Sequence, residues 1–171
     1  LMRNGRPVIG VIRAPQLNLE YYASERGGAF GNGQPIAASC TQHLRESIVS
    51  IGDYAVGANS VVRNKDRFAI AQALATTVER VRMFGSAALD LAWVAEGRTD
   101  GCVIMSNKPW DMAAGVLIAR ESGATVMDSD GTPHSVDSRH TLAANRLIAP
   151  ALQKLVMDAR TGVGAEADRE R

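Results

Sequence analysis

Residues 83–123 read MFGSAALDLAWVAEGRTDGCVIMSNKPWDMAAGVLIARESG. Ser86 to Ala95 is apolar nearly all round, the pattern of a helix buried on every side, and Glu96-Gly97 closes it. Asp100 to Met105 is a short apolar run and predicts a strand. Pro109 stands where a first helical residue belongs, the helix runs to Glu121, and Gly123 is its C-terminal stop. Arg80 to Phe84, at the leading edge of the stretch, predicts another strand. Two helix N-termini and one carboxylate, Asp111, therefore fall within a few turns of each other. A phosphate ester and a metal ion can sit in such a place, and most of the remaining chain reads as its support.

Working outward toward the N-terminus, residues 1–39 read as a small antiparallel unit. Asn4-Gly5-Arg6-Pro7 is a turn signal. Val8 to Ile12 is a β-branched run and predicts a strand, broken by Ala14 to Asn18, and Leu19 to Ser24 is the return strand. The glycine-rich run Arg26 to Gly33 lacks the Lys-Ser/Thr ending of a P-loop and opens onto no helix. It is read as hairpin turns that need positive φ. Ser47 to Gly52 predicts a strand, and Asn59 or Ser60 caps a helix running to about Val78. Toward the C-terminus come a strand at Ala124 to Met127, a turn at Asp128 to Pro133, a strand at Thr141 to Ala144 and a helix from Ala149 to Ala159. From Ser47 onward strands and helices alternate, which predicts an α/β layered domain. The expected division is 1–46 as an antiparallel hairpin part, 47–160 as the α/β part, and 161–171 as a polar tail.

Composition narrows the function. The chain has 171 residues, 46% hydrophobic and 22% charged, with a net charge of +1. Charge so near neutral gives no electrostatic reason to expect nucleic acid. No run approaches the roughly 18 apolar residues of a membrane span, and no apolar signal core stands at the start. Cys40 and Cys102 form no metal-binding spacing and are expected as free buried thiols in a reducing cytoplasm. The chain begins at Leu1, with strand alternation starting almost at once, and is expected to be an N-terminally truncated fragment.

Two features can carry chemistry. Asp111 lies in the first turn of a helix, where a carboxylate is stabilised by the helix N-terminus by about 0.3–1 kcal/mol. It reads either as a capping group or as a ligand for a hard cation such as Mg2+, which prefers carboxylate oxygens. Gly85-Ser86-Ala87-Ala88 opens the earlier helix, with Ser86 as N-cap. The free N–H groups of its first turn read either as an anion or hydroxyl site or as an ordinary capped start.

The residues of this stretch resemble the inositol monophosphatase family. Pro109-Trp110-Asp111-Met112-Ala113-Ala114-Gly115, followed by Ile118, Glu121, Ser122 and Gly123, is similar to that family's C-terminal signature. Gly85-Ser86-Ala87-Ala88, Gly97, Asp100-Gly101, Arg26-Gly27-Gly28-Ala29-Phe30 with Asn32-Gly33, and Ala143-Ala144-Asn145 match as well. The resemblance runs from Leu1 to about Asp158 and covers the later half to two-thirds of a family member. It implies the layered sheet–helix sandwich of the inositol monophosphatase and fructose-1,6-bisphosphatase type, usually a homodimer. It implies Mg2+-dependent hydrolysis of a small phosphomonoester, with metal ions activating water and stabilising the leaving alkoxide. Asp111 then corresponds to a metal ligand that also touches a substrate hydroxyl. Gly85, Ser86 and Ala87 correspond to backbone that contacts the sugar or inositol.

Two departures qualify this reading. The family's main metal motif, D-P-[IL]-D-G-[ST], is absent, since no Asp-Pro pair occurs in the chain. Asp128-Ser129-Asp130-Gly131-Thr132 looks like it but follows the Trp-Asp signature instead of preceding it, and is read as a surface turn. Ile104 stands where members acting on inositol phosphates often place a glutamate. The chain alone is therefore expected to bind Mg2+ poorly and to have little or no phosphatase activity. The alternative is a non-catalytic binding or assembly module that kept the scaffold and lost the metal site.

Overall fold

A computed structural model describes residues 1–162. Strands β1 (Met2–Arg3) and β2 (Arg6–Pro7) form a two-stranded ribbon. Its turn residues Asn4 and Gly5 both have positive φ, 51° and 73°, as a two-residue Asn-Gly hairpin turn requires. Strands β3 (Ile9–Ala14), β4 (Leu19–Ser24), β5 (Ala29–Gly31) and β6 (Gln34–Pro35) make a four-stranded antiparallel meander. Next come β7 (Ile48–Ile51), α1 (Ser60–Thr77), β8 (Arg80–Arg82), α2 (Ala87–Ala95), β9 (Gly101–Ile104), α3 (Pro109–Glu121), β10 (Thr125–Met127), β11 (Thr141–Ala144) and α4 (Ala149–Thr161). The second sheet has the order β10-β11-β9-β7-β8. Within it β8, β7 and β9 run parallel, while β11 and β10 add on antiparallel.

The layers follow from strand alternation. In β9, Cys102 and Ile104 face a core shared with α2, α3 and the meander residues Ile12, Tyr21, Ala23 and Ala29. Val103, between them, faces a second core made with Ile70, Leu74, Leu152 and Val156 of α1 and α4. The result is sheet, helix pair, sheet, helix pair, with α2 and α3 in the middle. Residues before and after position 46 share one core. Helix α2 is apolar all round because it is covered from both sides.

Small residues let the layers close. A Cβ on Gly115 of α3 would fall 2.7 Å from Leu91 Cβ of α2, and one on Gly10 of β3 would fall 2.9 Å from the Ala114 carbonyl oxygen of α3. The glycine-rich run is a hairpin connection tied to the helix layer: the backbone N–H groups of Arg26 and Gly28 donate to the Glu121 carboxylate at 2.8 and 3.0 Å. Asp100 accepts from Ser39 Oγ and the Ile48 N–H, and Asn145 accepts from the Leu147 and Ile148 N–H groups at the start of α4.

The structure departs from the expected elements at their ends. Strand β3 continues to Ala14 because that residue still pairs with Leu19 across the Pro15–Leu17 turn. Strand β8 stops at Arg82; Phe84 leaves the sheet to meet Trp93 edge-on, ring centres 4.4 Å apart. Asn59 makes no side-chain cap on α1 and instead adopts a left-handed conformation. Helix α4 extends through Thr161, so the polar tail begins later than 161, and residues 163–171 lie outside the described residues. Cys102 is buried as expected, but Cys40 is exposed, because residues 36–43 form an irregular connection over the surface.

Candidate substrate and metal site

The carboxyl ends of the three parallel strands feed three connections. The one after β8 carries Gly85 and Ser86 into α2. The one after β9 carries Lys108, Pro109 and Trp110 into α3. The one after β7, the central strand, carries Asp53. Ligands of open parallel sheets gather outside such strand ends.

Gly85, Ser86, Ala87 and Asp111 come together here, lining a cavity of about 420 Å3 with Val11, Ile12, Ala88, Trp110 and Ala114. Gly85 has φ +74°, a turn that a β-carbon would strain. Ser86 is the N-cap of α2, and its Oγ accepts from the Leu89 N–H at 3.4 Å. Asp111 sits in the first turn of α3, and its carboxylate is exposed. It makes no hydrogen bond or ion pair among the described residues, so it caps nothing with its side chain. Trp110 is 77% exposed, with the Lys108 ammonium 5.9 Å from its ring centre.

Asp111 is the one carboxylate lining this cavity. Among the described residues, no group of three or more His, Cys, Asp or Glu side chains converges as a metal site. A single carboxylate does not make a Mg2+ site, since that ion is held octahedrally by several oxygens. The residues present therefore do not by themselves fit the ion. Ile104 is 4% exposed and belongs to the middle core, so its side chain offers a substrate nothing polar. The Asp128 to Pro133 segment is a surface turn: Asp130 Oδ1 accepts from the Thr132 N–H and Oγ, and the Asp128 N–H is bonded to the Thr132 carbonyl.

Two groups beside the cavity escaped the sequence reading. Asp90 of α2 is 1% exposed, and both of its oxygens lack a hydrogen-bond partner, as does the Ser50 hydroxyl on β7. Burial raises its pKa to about 6, the nearby Ser50 hydroxyl opposes the rise, and the charge of Asp53 adds to it. An acid four residues after an N-cap, inside an otherwise apolar helix, is the signal that could have found it. Asp53 carries no sequence signal beyond following a predicted strand. Its oxygens lie 3.6 and 3.9 Å from where a Cβ on Gly85 would stand.

A second cavity, about 390 Å3, lies on another flank of α3, lined by Met112, Val116, Arg120, Asn107 and His134 among others. His134 is held down to about 4, by burial first and then by the Arg120 charge. None of the predicted site residues reaches it.

The family model described as the inositol monophosphatase family matches residues 1–163. A Thermotoga maritima protein named fructose-1,6-bisphosphatase/inositol-1-monophosphatase is 33% identical over 96% of this chain and 61% of its own length. A Mesorhizobium japonicum inositol-1-monophosphatase is 38% identical over 91% of this chain and 58% of its own. The solved structure of a Thermotoga maritima IMPase superposes with a TM-score of 0.85 at 34% identity, covering 95% of this chain and 61% of that one. The chain thus spans about three-fifths of the length of these relatives. On sequence and fold together, the chain belongs to the inositol monophosphatase family.

Proposed function

We propose that a family-length protein carrying this chain hydrolyses a small phosphomonoester with Mg2+ as cofactor, as a homodimer in the cytoplasm, and that this chain alone has little or no activity. The observation that carries the reading is the meeting of the α2 N-terminus, Gly85 to Ala87, with the Asp111 carboxylate in one 420 Å3 cavity of a family scaffold. In the relatives' printed names the substrates are inositol 1-monophosphate and fructose 1,6-bisphosphate. The buried, apolar Ile104 argues against a site built for inositol phosphate alone.

The chain's own residues supply binding and orientation. The first-turn N–H groups of α2 and the positive-φ backbone at Gly85 offer donors to the alcohol half of a substrate. Asp111, held at the start of α3 by Pro109 and the helix dipole, accepts a hydroxyl proton or contributes one oxygen to a cation. The remaining oxygens of a Mg2+ site are not among the described residues. The function is supported by the family, and the weakness of this chain alone follows from its single carboxylate.

The test combines calorimetric titration of the 171-residue chain with Mg2+ and a phosphate-release assay on a panel of sugar and inositol phosphates. No micromolar Mg2+ affinity and little turnover are expected from this chain. In a family-length protein carrying it, Mg2+-dependent release is expected, falling at least 100-fold on Asp111→Asn. Full activity of that variant, or no release from any phosphomonoester, overturns the reading.

A further inference from the structure

Asp53 stands beside the cavity, next to Gly85, without an assigned task. It follows β7, the middle of the three parallel strands. The Gly52 N–H still bonds the Val103 carbonyl at 3.0 Å, so Asp53 is the first residue beyond the ladder. That position puts it between the β8 connection, which carries Gly85, and the β9 connection, which leads to Asp111. Its oxygens rest 3.6 and 3.9 Å from the Cβ position of Gly85, in ordinary van der Waals contact with any atom there. Asp53 is exposed and makes no hydrogen bond or ion pair among the described residues. Its charge adds to the upward shift of the Asp90 carboxyl on α2.

A carboxylate in that place has two consequences. It only accepts hydrogen bonds, so it selects donors. It also repels an anion from the α2 N-terminus, which would otherwise attract one. Both favour the hydroxyl-bearing half of a phosphomonoester over its phosphate at Gly85 and Ser86. Ile104, on the neighbouring strand and packed beside Gly52, contributes no polar group there.

We propose that Asp53 is a specificity-determining residue that accepts hydrogen bonds from substrate hydroxyls at Gly85–Ser86 and turns the phosphate away from that end of the cavity. The proposal rests on the phosphomonoesterase reading for its substrate class. The residue's effect on binding is measurable without turnover or metal.

The experiment titrates the 15N-labelled 171-residue chain with two probes, unphosphorylated myo-inositol and inorganic phosphate, in the absence of Mg2+, following the amides of Gly85, Ser86 and Ala87. Asp53→Leu removes the acceptor, Asp53→Asn removes only the charge, and Asp53→Glu is the conservative rescue. Inositol is expected to shift these amides in the unsubstituted chain. Its Kd should rise about tenfold or more in Asp53→Leu, as loss of a hydrogen bond to a charged acceptor predicts, and be largely restored in Asp53→Glu. Phosphate should move the opposite way, binding the same amides several-fold more tightly in Asp53→Asn. A role limited to stabilising the α2 dipole would lower stability without this opposed pair of changes. Unchanged inositol affinity in Asp53→Leu, both probes moving in the same direction, or no response at these amides overturns the proposal. Opposed changes combined with an absence of phosphatase activity in the family-length protein would uphold Asp53 and remove the phosphatase reading.

Discussion

Asp90 is the residue whose chemistry is most at odds with its surroundings. A carboxylate only 1% exposed, with no well-formed hydrogen bond and only the nearby Ser50 hydroxyl to favour its charge, resists ionisation, and burial raises its pKa from 3.8 to about 6. For a group whose pKa is raised by folding, stability is fully present below the unfolded value and is lost as pH rises through the folded one. Asp90 should therefore destabilise the fold progressively from pH 4 to 6, reaching about 3 kcal/mol above pH 6. Asp90→Asn, which keeps the shape and cannot ionise, is expected to be more stable than the parent chain at pH 7.5, with the gap closing toward pH 4. Urea unfolding of both chains at several pH values measures it, and a variant less stable at pH 7.5 would show that Asp90 holds a partner there. Sequence gives little warning of such a residue, because hydropathy places acids outside and only the unbroken apolar run around Asp90 contradicts that. Asp111, in contrast, was legible as a first-turn residue of α3 from its place after Pro109-Trp110. Gly85 to Ala87 was legible as a helix start. Asp53 was not, since its importance depends on which strand is central, and strand order is a property of the assembled sheet.

At the scale of elements, the types of the four α-helices among the described residues and of the main strands follow from periodicity and from Gly and Pro punctuation, while their ends are set by tertiary contacts. The two-residue ribbon at Met2–Arg3 and Arg6–Pro7 is too short to show alternation, and only its Asn-Gly turn was readable. What periodicity cannot give is how closely elements approach. The α2–α3 and β3–α3 contacts are closed by Gly115 and Gly10, and their substitution separates two cases. In Gly115→Ala the new methyl meets Leu91 Cβ and Cδ1, both at 2.7 Å; Cδ1 can rotate away, while Cβ moves only with α2. In Gly10→Ala it meets Ala114 backbone at 2.9 and 3.0 Å, which cannot move without shifting α3. Overpacking costs typically about 1–3 kcal/mol, and for Gly115 the helix preference of alanine returns up to about 1 kcal/mol. Gly10→Ala should accordingly lower the melting temperature more than Gly115→Ala, by roughly 2–4 °C per kcal/mol for a chain of this size. Differential scanning calorimetry of the two variants checks the order; the reverse order would mean that α3 is free to slide.

For the whole molecule, the layered architecture followed from the alternation of strands and helices after Ser47, but the state of the outer layer did not. Hydropathy alone does not say which face of the antiparallel meander is covered. One face packs on α2 and α3. The other presents Ile9 and Val11, 47% and 58% exposed, with Val11 in register with Tyr22, and Tyr22 stacked on Phe30 at 5.2 Å. Strand β3 is also the edge of its sheet: past the Leu1–Ile9 contacts, its outer side has no strand partner among the described residues. An apolar face joined to an open strand edge is a surface that self-associates. The chain is expected to show concentration-dependent association in sedimentation velocity. Ile9→Lys places a charge on this face and edge without touching the cavity at Gly85 and Asp111, and it should shift the distribution toward monomer. Gln72→Lys adds the same charge to the exposed surface of α1, in the layer farthest from the meander, and should leave association unchanged. Equal effects of the two variants would make the change one of net charge alone; no effect of Ile9→Lys would place the contact on another surface, such as the exposed Val61 and Val62 of α1.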